Sequence, residues 1–471
     1  MTHQKNHRSR RVPARVVQPA RQVAFDVLRA VSDSDAYANL VLPSAIAQAG
    51  LSPQDAALAT ELTYGTLRRL GTYDAIIAAA AGRPASDIDS AVLDALRLGV
   101  HQLLATRVAS HAAVNESVNL AAAAQGSGAS RFANAVLRRI SRDDADYWQQ
   151  SIEAEARSDD ERLALRSAHP VWVIRALRRA LAAEGRQDEL SALLDADNAS
   201  PEVTLVALPG LAEPGEPRRP YAPTAFASGG GDPHHVVAAS GGTVRVQDEG
   251  SQLVALALAE AMPIRPGERW LDLCAGPGGK TALLAAIAHA NGAHLEANEV
   301  IPARAGLVRN AVRPVPGDVI VHEADGRAFA PALPGTFDRI LVDAPCTGLG
   351  ALRRRPEARW RKSPADVAEL VTLQTELLGA ALDAVAPGGI VAYATCSPHL
   401  AETTGVIQDV LRERPGFTEL NARAVVAGIA TSPIDLADDG SGRVQLWPHR
   451  HGTDAMFLAL LQRSASDSPG E

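Results

Sequence analysis

The feature that most constrains this chain is an ordered series of short apolar runs in its second half, each closing on an acid or a thiol. RWLDLC ends at Cys274, HLEANEV leads to Glu299, VIVHEADGR carries Asp325, FDRILVDAPC carries Asp343 and Cys346, and GGIVAYATCSP carries Cys396. Helical stretches separate the runs, the pattern of a parallel sheet with crossover helices. Open sheets of that kind bind ligands in the crevice outside the carboxyl ends of their strands, so these tips are expected to converge on one crevice.

The first run passes through a Gly-rich turn, CAGPGGK, into a helix expected from near Gly279. Such a turn lets a ligand approach the backbone closely and aims helix N–H groups at it. Two glycine motifs fail by position: a phosphate-binding P-loop needs Gly where Cys274 stands, and the dinucleotide fingerprint needs a third Gly where Thr281 stands. Glu299, twenty residues beyond Gly279, is placed to accept from ribose hydroxyls, and Asp325 to accept from an adenine amino group. The ordered acids therefore predict a nucleoside ligand without a phosphate chain, which S-adenosylmethionine fits.

The chain has three cysteines, Cys274, Cys346 and Cys396, with no CxxC pair, so neither a disulfide framework nor a zinc site is expected. Cys274 reads as packing at the end of a strand. Cys346 and Cys396 are expected to face the crevice. Thiols have a use in methyl transfer when the acceptor is carbon 5 of cytosine, a poor nucleophile until a thiolate adds to carbon 6. The proton on carbon 5 must then leave, a task that Asp343 or Cys346 could perform.

Residues 21–145 read as helix after helix. Ser52-Pro53-Gln54-Asp55 is a helix start, and Val92, Leu96, Val100 and Leu103, like Phe132, Val136 and Ile140, recur at helical spacing. His101, His111 and Asn115 read as core or capping groups. Residues 155–243 open helically and close in a Pro/Gly-rich stretch, a linker or a small α/β module whose strands include VTLVAL. QLWPHRHGTDAMFLALLQR predicts final antiparallel strands, with His449 and His451 in surface or turn roles.

Charge is uneven along a chain whose net formal charge is -8. Residues 1–20 form a basic arm that could touch phosphates or simply be solvated. Arg353 to Lys362 sets six cations against one Glu and includes Trp360, a candidate stacking surface beside whatever site it flanks. No run approaches the ~18 apolar residues of a membrane helix and the start lacks a signal peptide, so a cytoplasmic protein without membrane contact is expected.

LDLCAGPGGK, Glu299, Asp325, DAPCTGLG and YATCSP together resemble the RNA 5-methylcytosine methyltransferases. VQDEGSQLVALAL resembles the segment leading into that catalytic domain, while SHAAVNESVNLA and RFANAVLRRI are similar to the antitermination factor NusB. The combination resembles the bacterial 16S ribosomal RNA cytosine-5 methyltransferase B group, also called Sun or Fmu. The resemblance implies an α/β, Rossmann-like S-adenosylmethionine-dependent methyltransferase domain at 246–465, preceded by an all-α NusB-like RNA-binding domain at 21–145 and a small linking module at 155–243. It further implies that Cys274, Ala275, Gly276, Pro277, Gly278, Gly279 and Lys280 bind the cofactor with Glu299, Asp325 and Asp343. Cys396 of the Thr-Cys motif is then the nucleophile, Cys346 assists product release, and Asp343 also contacts the base. The implied partner is 16S rRNA, with no obligate protein partner evident. AGPGG in place of AAPGG, and Glu299 where Asp is frequent, depart from the family pattern without removing a needed group.

A DNA cytosine methyltransferase would use Cys346 and have no need of Cys396, and an amino-group methyltransferase would show a Pro-Pro-aromatic turn after Asp343 rather than DAPC. An inactive RNA-binding scaffold would have no reason to keep two thiols and three acids.

Overall fold

The computed structural model describes residues 17–465 apart from residues 35, 231 and 232. The basic arm 1–20 therefore lies almost wholly outside the described residues. The chain divides into two compact units, residues 1–169 and 170–471.

In its described part the first unit is helical throughout, running from Pro19–Ser34 to Asp159–Ser167. The helix Pro53–Arg68 starts as its sequence predicts, with the Ser52 side chain accepting from the Asp55 N–H. Val92, Leu96 and Val100 are buried on the helix Ser90–Ala105, and Val136 and Ile140 on Ser110–Ile140, in one apolar core. That long helix breaks at Gly126, whose φ of 79° only glycine adopts without strain. Asp94, buried at the edge of this core, is neutralised by its own fold: it accepts from Arg29 at 2.9 Å and Arg97 at 2.8 Å. His101 is buried beside the Tyr73 hydroxyl at 2.9 Å, the core role its sequence context predicts, whereas His111 and Asn115 are exposed.

The second unit opens with the helices Val171–Ala183 and Leu190–Asn198. The Pro/Gly-rich stretch then contributes a small antiparallel sheet of β1 (Thr204–Ala207), β2 (Ala225–Ala227) and β3 (Val244–Val246), with β1 in the middle.

The large sheet follows: β4 (Arg269–Asp272), β5 (His294–Asn298), β6 (Ile320–His322), β7 (Phe337–Asp343), β8 (Val385–Thr395), β9 (Phe417–Leu420), β10 (Val444–Gln445) and β11 (Phe457–Arg463). Its order is β10-β11-β8-β7-β4-β5-β6, with β9 also pairing with β11. β6, β5, β4, β7 and β8 run parallel, and β11 lies antiparallel to β8, Phe457 opposite Thr395 through Gln462 opposite Ile390. Parallel strands covered by helices on both faces read as nearly continuous apolar runs, and Ile340, Leu341 and Val342 of β7 are all buried. From β4 the chain winds outward to β5 and β6, then returns on the other side of β4 as β7. That reversal opens a crevice at the carboxyl ends of β4 and β7. Among the described residues no helix is long and apolar enough to cross a membrane.

Candidate active site

The Gly-rich turn stands at the carboxyl end of β4, and its shape depends on two glycines. A side chain at Gly276 would meet Glu299 Oε2 at 2.2 Å, and one at Gly278, whose φ is 104°, would meet Ala311 at 2.6 Å. The Gly276 N–H donates to Glu299 Oε2 at 3.0 Å and the Ile301 N–H to Oε1 at 3.0 Å. Each oxygen of this buried carboxylate thus retains a lone pair for a further donor. Arg304 braces the same corner, donating to the Gly276 carbonyl at 2.5 Å. Below the turn, Thr281 donates to Asp272 at 2.7 Å, and burial pushes the Asp272 carboxyl up to about 7. Gln247 packs beside Gly279 with its side-chain oxygen buried and unpartnered.

Across the switch point, Lys280 from the start of the helix Gly279–Ala290 donates to Asp343 Oδ2 at the tip of β7, at 2.7 Å. Burial alone would lower the Lys280 ammonium; the Asp343 charge and hydrogen bond outweigh it and hold it above its ordinary value. The Cys346 and Cys396 sulfurs lie 3.4 Å apart, one from the loop after β7 and the other from the loop after β8. Their shared hydrogen bond drives the pair in opposite directions. Cys346 is raised by that bond and by burial, while Cys396 is lowered by it, against burial and the nearby Asp343 charge and with help from Arg355. Behind the sulfurs, the Gly350 N–H donates to the Cys396 carbonyl at 2.8 Å, joining the two loops.

Other predicted residues are placed differently. Asp325 follows β6 and caps the short helix Gly326–Phe329, and Arg327 claims both of its oxygens, so an adenine amino group would compete with a guanidinium. Cys274 is half-buried and packs against the core beside β4, where burial raises its thiol, as a packing residue should.

The basic run 353–362 is largely not an exposed RNA surface. Arg353 pairs with Asp248 at 2.6 Å and Asp454 at 3.2 Å, and Arg354 Nε with both Asp454 oxygens at 3.0 and 2.9 Å. Arg359 is wholly buried on Asn198 and the Asp197 carbonyl. Arg353 and Arg354 spend their charge neutralising buried acids, and Trp360 is the run's exposed aromatic. His451 is buried and closes a turn, accepting from the Trp447 N–H at 2.8 Å, and His449 meets Glu189 at 2.7 Å, so the turn reading holds and a surface reading does not.

Sequence reasoning missed three groups. Glu402 is buried behind both thiol loops and binds Thr347 and Ser397; the signal was an acid six residues after Cys396. Gln247 lay inside the VQDEGSQ segment, and Arg304 five residues past Glu299, with nothing local to single either out.

A ligand crevice at the switch point, with acids at the strand tips and a glycine turn lacking a phosphate loop, is the construction of Rossmann-like S-adenosylmethionine-dependent methyltransferases, the class to which the second unit belongs. The model of the 16S rRNA methyltransferase RsmB/F family matches residues 259–462, and that of the NusB family matches residues 18–142. With the relatives that follow, the chain belongs to the RsmB/F family of 16S rRNA methyltransferases. It is 50% identical to "Putative methyltransferase MT1451" of Mycobacterium tuberculosis, covering 97% of this chain and 99% of that one. To the ribosomal RNA small subunit methyltransferase B of Pseudomonas putida it is 32% identical, with 95% and 99% covered, and to that of Erwinia tasmaniensis 31%, with 94% and 98% covered. The crystal structure of PH0851 shares the fold, with a TM-score of 0.78 at 23% identity, covering 96% of this chain and 100% of that one. The chain is an S-adenosylmethionine-dependent rRNA methyltransferase with a NusB-like helical domain.

Proposed function

We propose that this enzyme methylates carbon 5 of a cytosine in 16S rRNA through a covalent adduct between Cys396 and carbon 6. The observation that carries the reading is the thiol pair, 3.4 Å from sulfur to sulfur, at the same strand ends as Asp343 and Lys280.

In this reading the Cys396 thiolate, the more easily ionised of the two, adds to carbon 6, and the displaced electron pair makes carbon 5 nucleophilic. Asp343, oriented by Lys280, receives the ring nitrogen or amino group of the base and favours the protonated ring that accepts this electron density. S-adenosylmethionine supplies an electrophilic methyl group. The proton on carbon 5 must then leave; its bonding pair restores the ring double bond as the sulfur–carbon bond breaks and returns a pair to Cys396. Cys346 suits this second half. Its thiol is raised chiefly by the bond to Cys396, and a Cys396 sulfur bound to carbon no longer exerts that influence. Cys346 therefore ionises more readily once the adduct exists, when a base is needed.

The residues of the turn, Cys274 to Lys280, are assigned to the cofactor together with Glu299, Asp325 and Asp343. Two observations support the fit: the free lone pairs of Glu299 suit ribose hydroxyls, and the unpartnered Gln247 oxygen suits an ammonium group. The helical domain at 21–145 is assigned to RNA contact, and the target cytosine must be unstacked to reach Cys396.

The test incubates the protein with small-subunit rRNA and labelled S-adenosylmethionine, scoring methyl transfer and protein–RNA adduct. Cys396→Ala is expected to abolish both, and Cys346→Ala to accumulate adduct. Cytosine methylation by Cys396→Ala at the wild-type rate would return the nucleophile to Cys346.

A further inference from the structure

Each thiol of the pair is followed by a hydroxyl residue, in Cys346-Thr347 and Cys396-Ser397. With the sulfurs in contact, the two hydroxyls turn the other way and meet one carboxylate. Glu402 Oε2 accepts from Thr347 Oγ1 at 2.5 Å and from Ser397 Oγ at 2.6 Å. Oε1 accepts from the Thr347 N–H at 2.8 Å and from Gln374 Nε2 at 3.1 Å. Four donors on two oxygens fill the acceptor capacity of an ionised carboxylate. Glu402 is 0% exposed, and its own backbone carbonyl accepts from the Tyr393 hydroxyl at 2.7 Å, which anchors it to β8. Gln374 extends the clamp to the DAPC loop through the Pro345 carbonyl at 2.8 Å. A residue that only filled space would not need a buried charge, whose desolvation must be offset by every one of these bonds.

The clamp is lopsided. Thr347, adjoining Cys346, gives two donors, one of them the backbone N–H next to the cysteine itself, whereas the Cys396 side gives one. The negative charge consequently bears more on Cys346.

We propose that Glu402 is a positioning residue for methyl transfer, holding the two sulfurs in contact and keeping the shared proton on Cys346 so that Cys396 is the thiol free to attack. The inference rests on the two-thiol reading above. The other charged and titratable groups facing the pair do not reproduce this asymmetry. Asp343, paired with Lys280, and Asp454, paired with Arg354, both oppose ionisation of Cys396. Tyr393 is neutral, its phenol raised by burial. Arg355 favours ionisation of Cys396, and so works in the same sense as Glu402 does by opposing ionisation of Cys346.

The experiment alkylates the full chain with iodoacetamide from about pH 6 to about pH 9, the range that brackets thiol ionisation, and quantifies label on each cysteine by peptide mass spectrometry. RNA and cofactor are left out. Wild type is expected to label Cys396 at lower pH than Cys346. Glu402→Gln is expected to reduce the neutral-pH ratio of Cys396 to Cys346 label about tenfold and to lower kcat with little change in KM for RNA, and Glu402→Asp to recover part of the ratio. If Glu402→Gln lacks the wild-type circular dichroism, Ser397→Ala takes its place; it cuts the Cys396 arm and leaves the charge, and a ratio about threefold lower is expected. An unchanged ratio in the folded variant, or equal labelling of both thiols in wild type, overturns the inference. Because the labelling needs no turnover, this failure is separate from failure of the catalytic reading, which appears as methylation by Cys396→Ala.

Discussion

The two units both bury charge, and they use it differently. In the helical unit Asp94 is held by two cations, Arg29 and Arg97, which pair onward with Asp33 and Asp74, so its charge is matched within the fold. At the carboxyl ends of the large sheet the charges are left incomplete: Glu299 keeps a lone pair on each oxygen, Gln247 an unpartnered oxygen, and the thiol pair a proton to share. Burial of a charge is therefore no sign of function by itself. What marks the site is polar capacity the fold leaves unfilled, on several strand tips at once.

The comparison breaks most directly at Asp343. Asp343→Asn is expected to lower methyl transfer about 10³-fold while the far-ultraviolet circular dichroism stays that of wild type; retention of activity would mean that the strand tip serves the fold as Asp94 does. Asp94→Ala should do the reverse. It removes the buried carboxylate that Arg29 and Arg97 share, leaving them Asp33 and Asp74, and is expected to destabilise the helical unit by about 2 kcal/mol, read as a lower denaturation midpoint, with full methylation per folded molecule in the catalytic unit.

A finer contrast comes from pH. In the proposed mechanism Cys396 attacks as a thiolate, and its thiol is depressed below its ordinary value of 9.0, chiefly by the bond from Cys346. The single-turnover rate should rise with pH about tenfold per unit on the acid side and level off at a midpoint below that of a free cysteine. Cys346→Ala, which removes the donor beside Cys396, should move that midpoint upward. The smallest effect is expected at the helix cap: Ser52→Ala removes the acceptor for the Asp55 N–H and costs about 1 kcal/mol, with no change in methylation.

The succession of parallel strands along the chain was legible because each strand and its terminal acid or thiol lie within a few residues of one another, as in RWLDLC or FDRILVDAPC. The thiol pair was legible for the same reason. The small sheet was legible only as a possibility, since β1, β2 and β3 are three or four residues long and far apart in sequence. The basic run at 353–362 misled because counting charge locally cannot reveal a partner such as Asp248, 105 residues upstream of Arg353. Glu402 carries the same lesson in reverse: an unremarkable acid in SPHLAE becomes the common acceptor of two loops fifty residues apart.

β11 sets a schedule for how the site is made. β8, which ends one residue before Cys396, is flanked by β7 on one side and by β11 on the other. A nascent chain that has not reached Phe457 leaves residues 390–395 of β8 as an open sheet edge, with unpaired N–H and C=O groups at its rim. The strand that presents the thiol thus waits for its second neighbour until well after the glycine turn and Asp343 have been synthesised. During translation the parts attributed to the cofactor come first, and the part attributed to attack on the base is completed last.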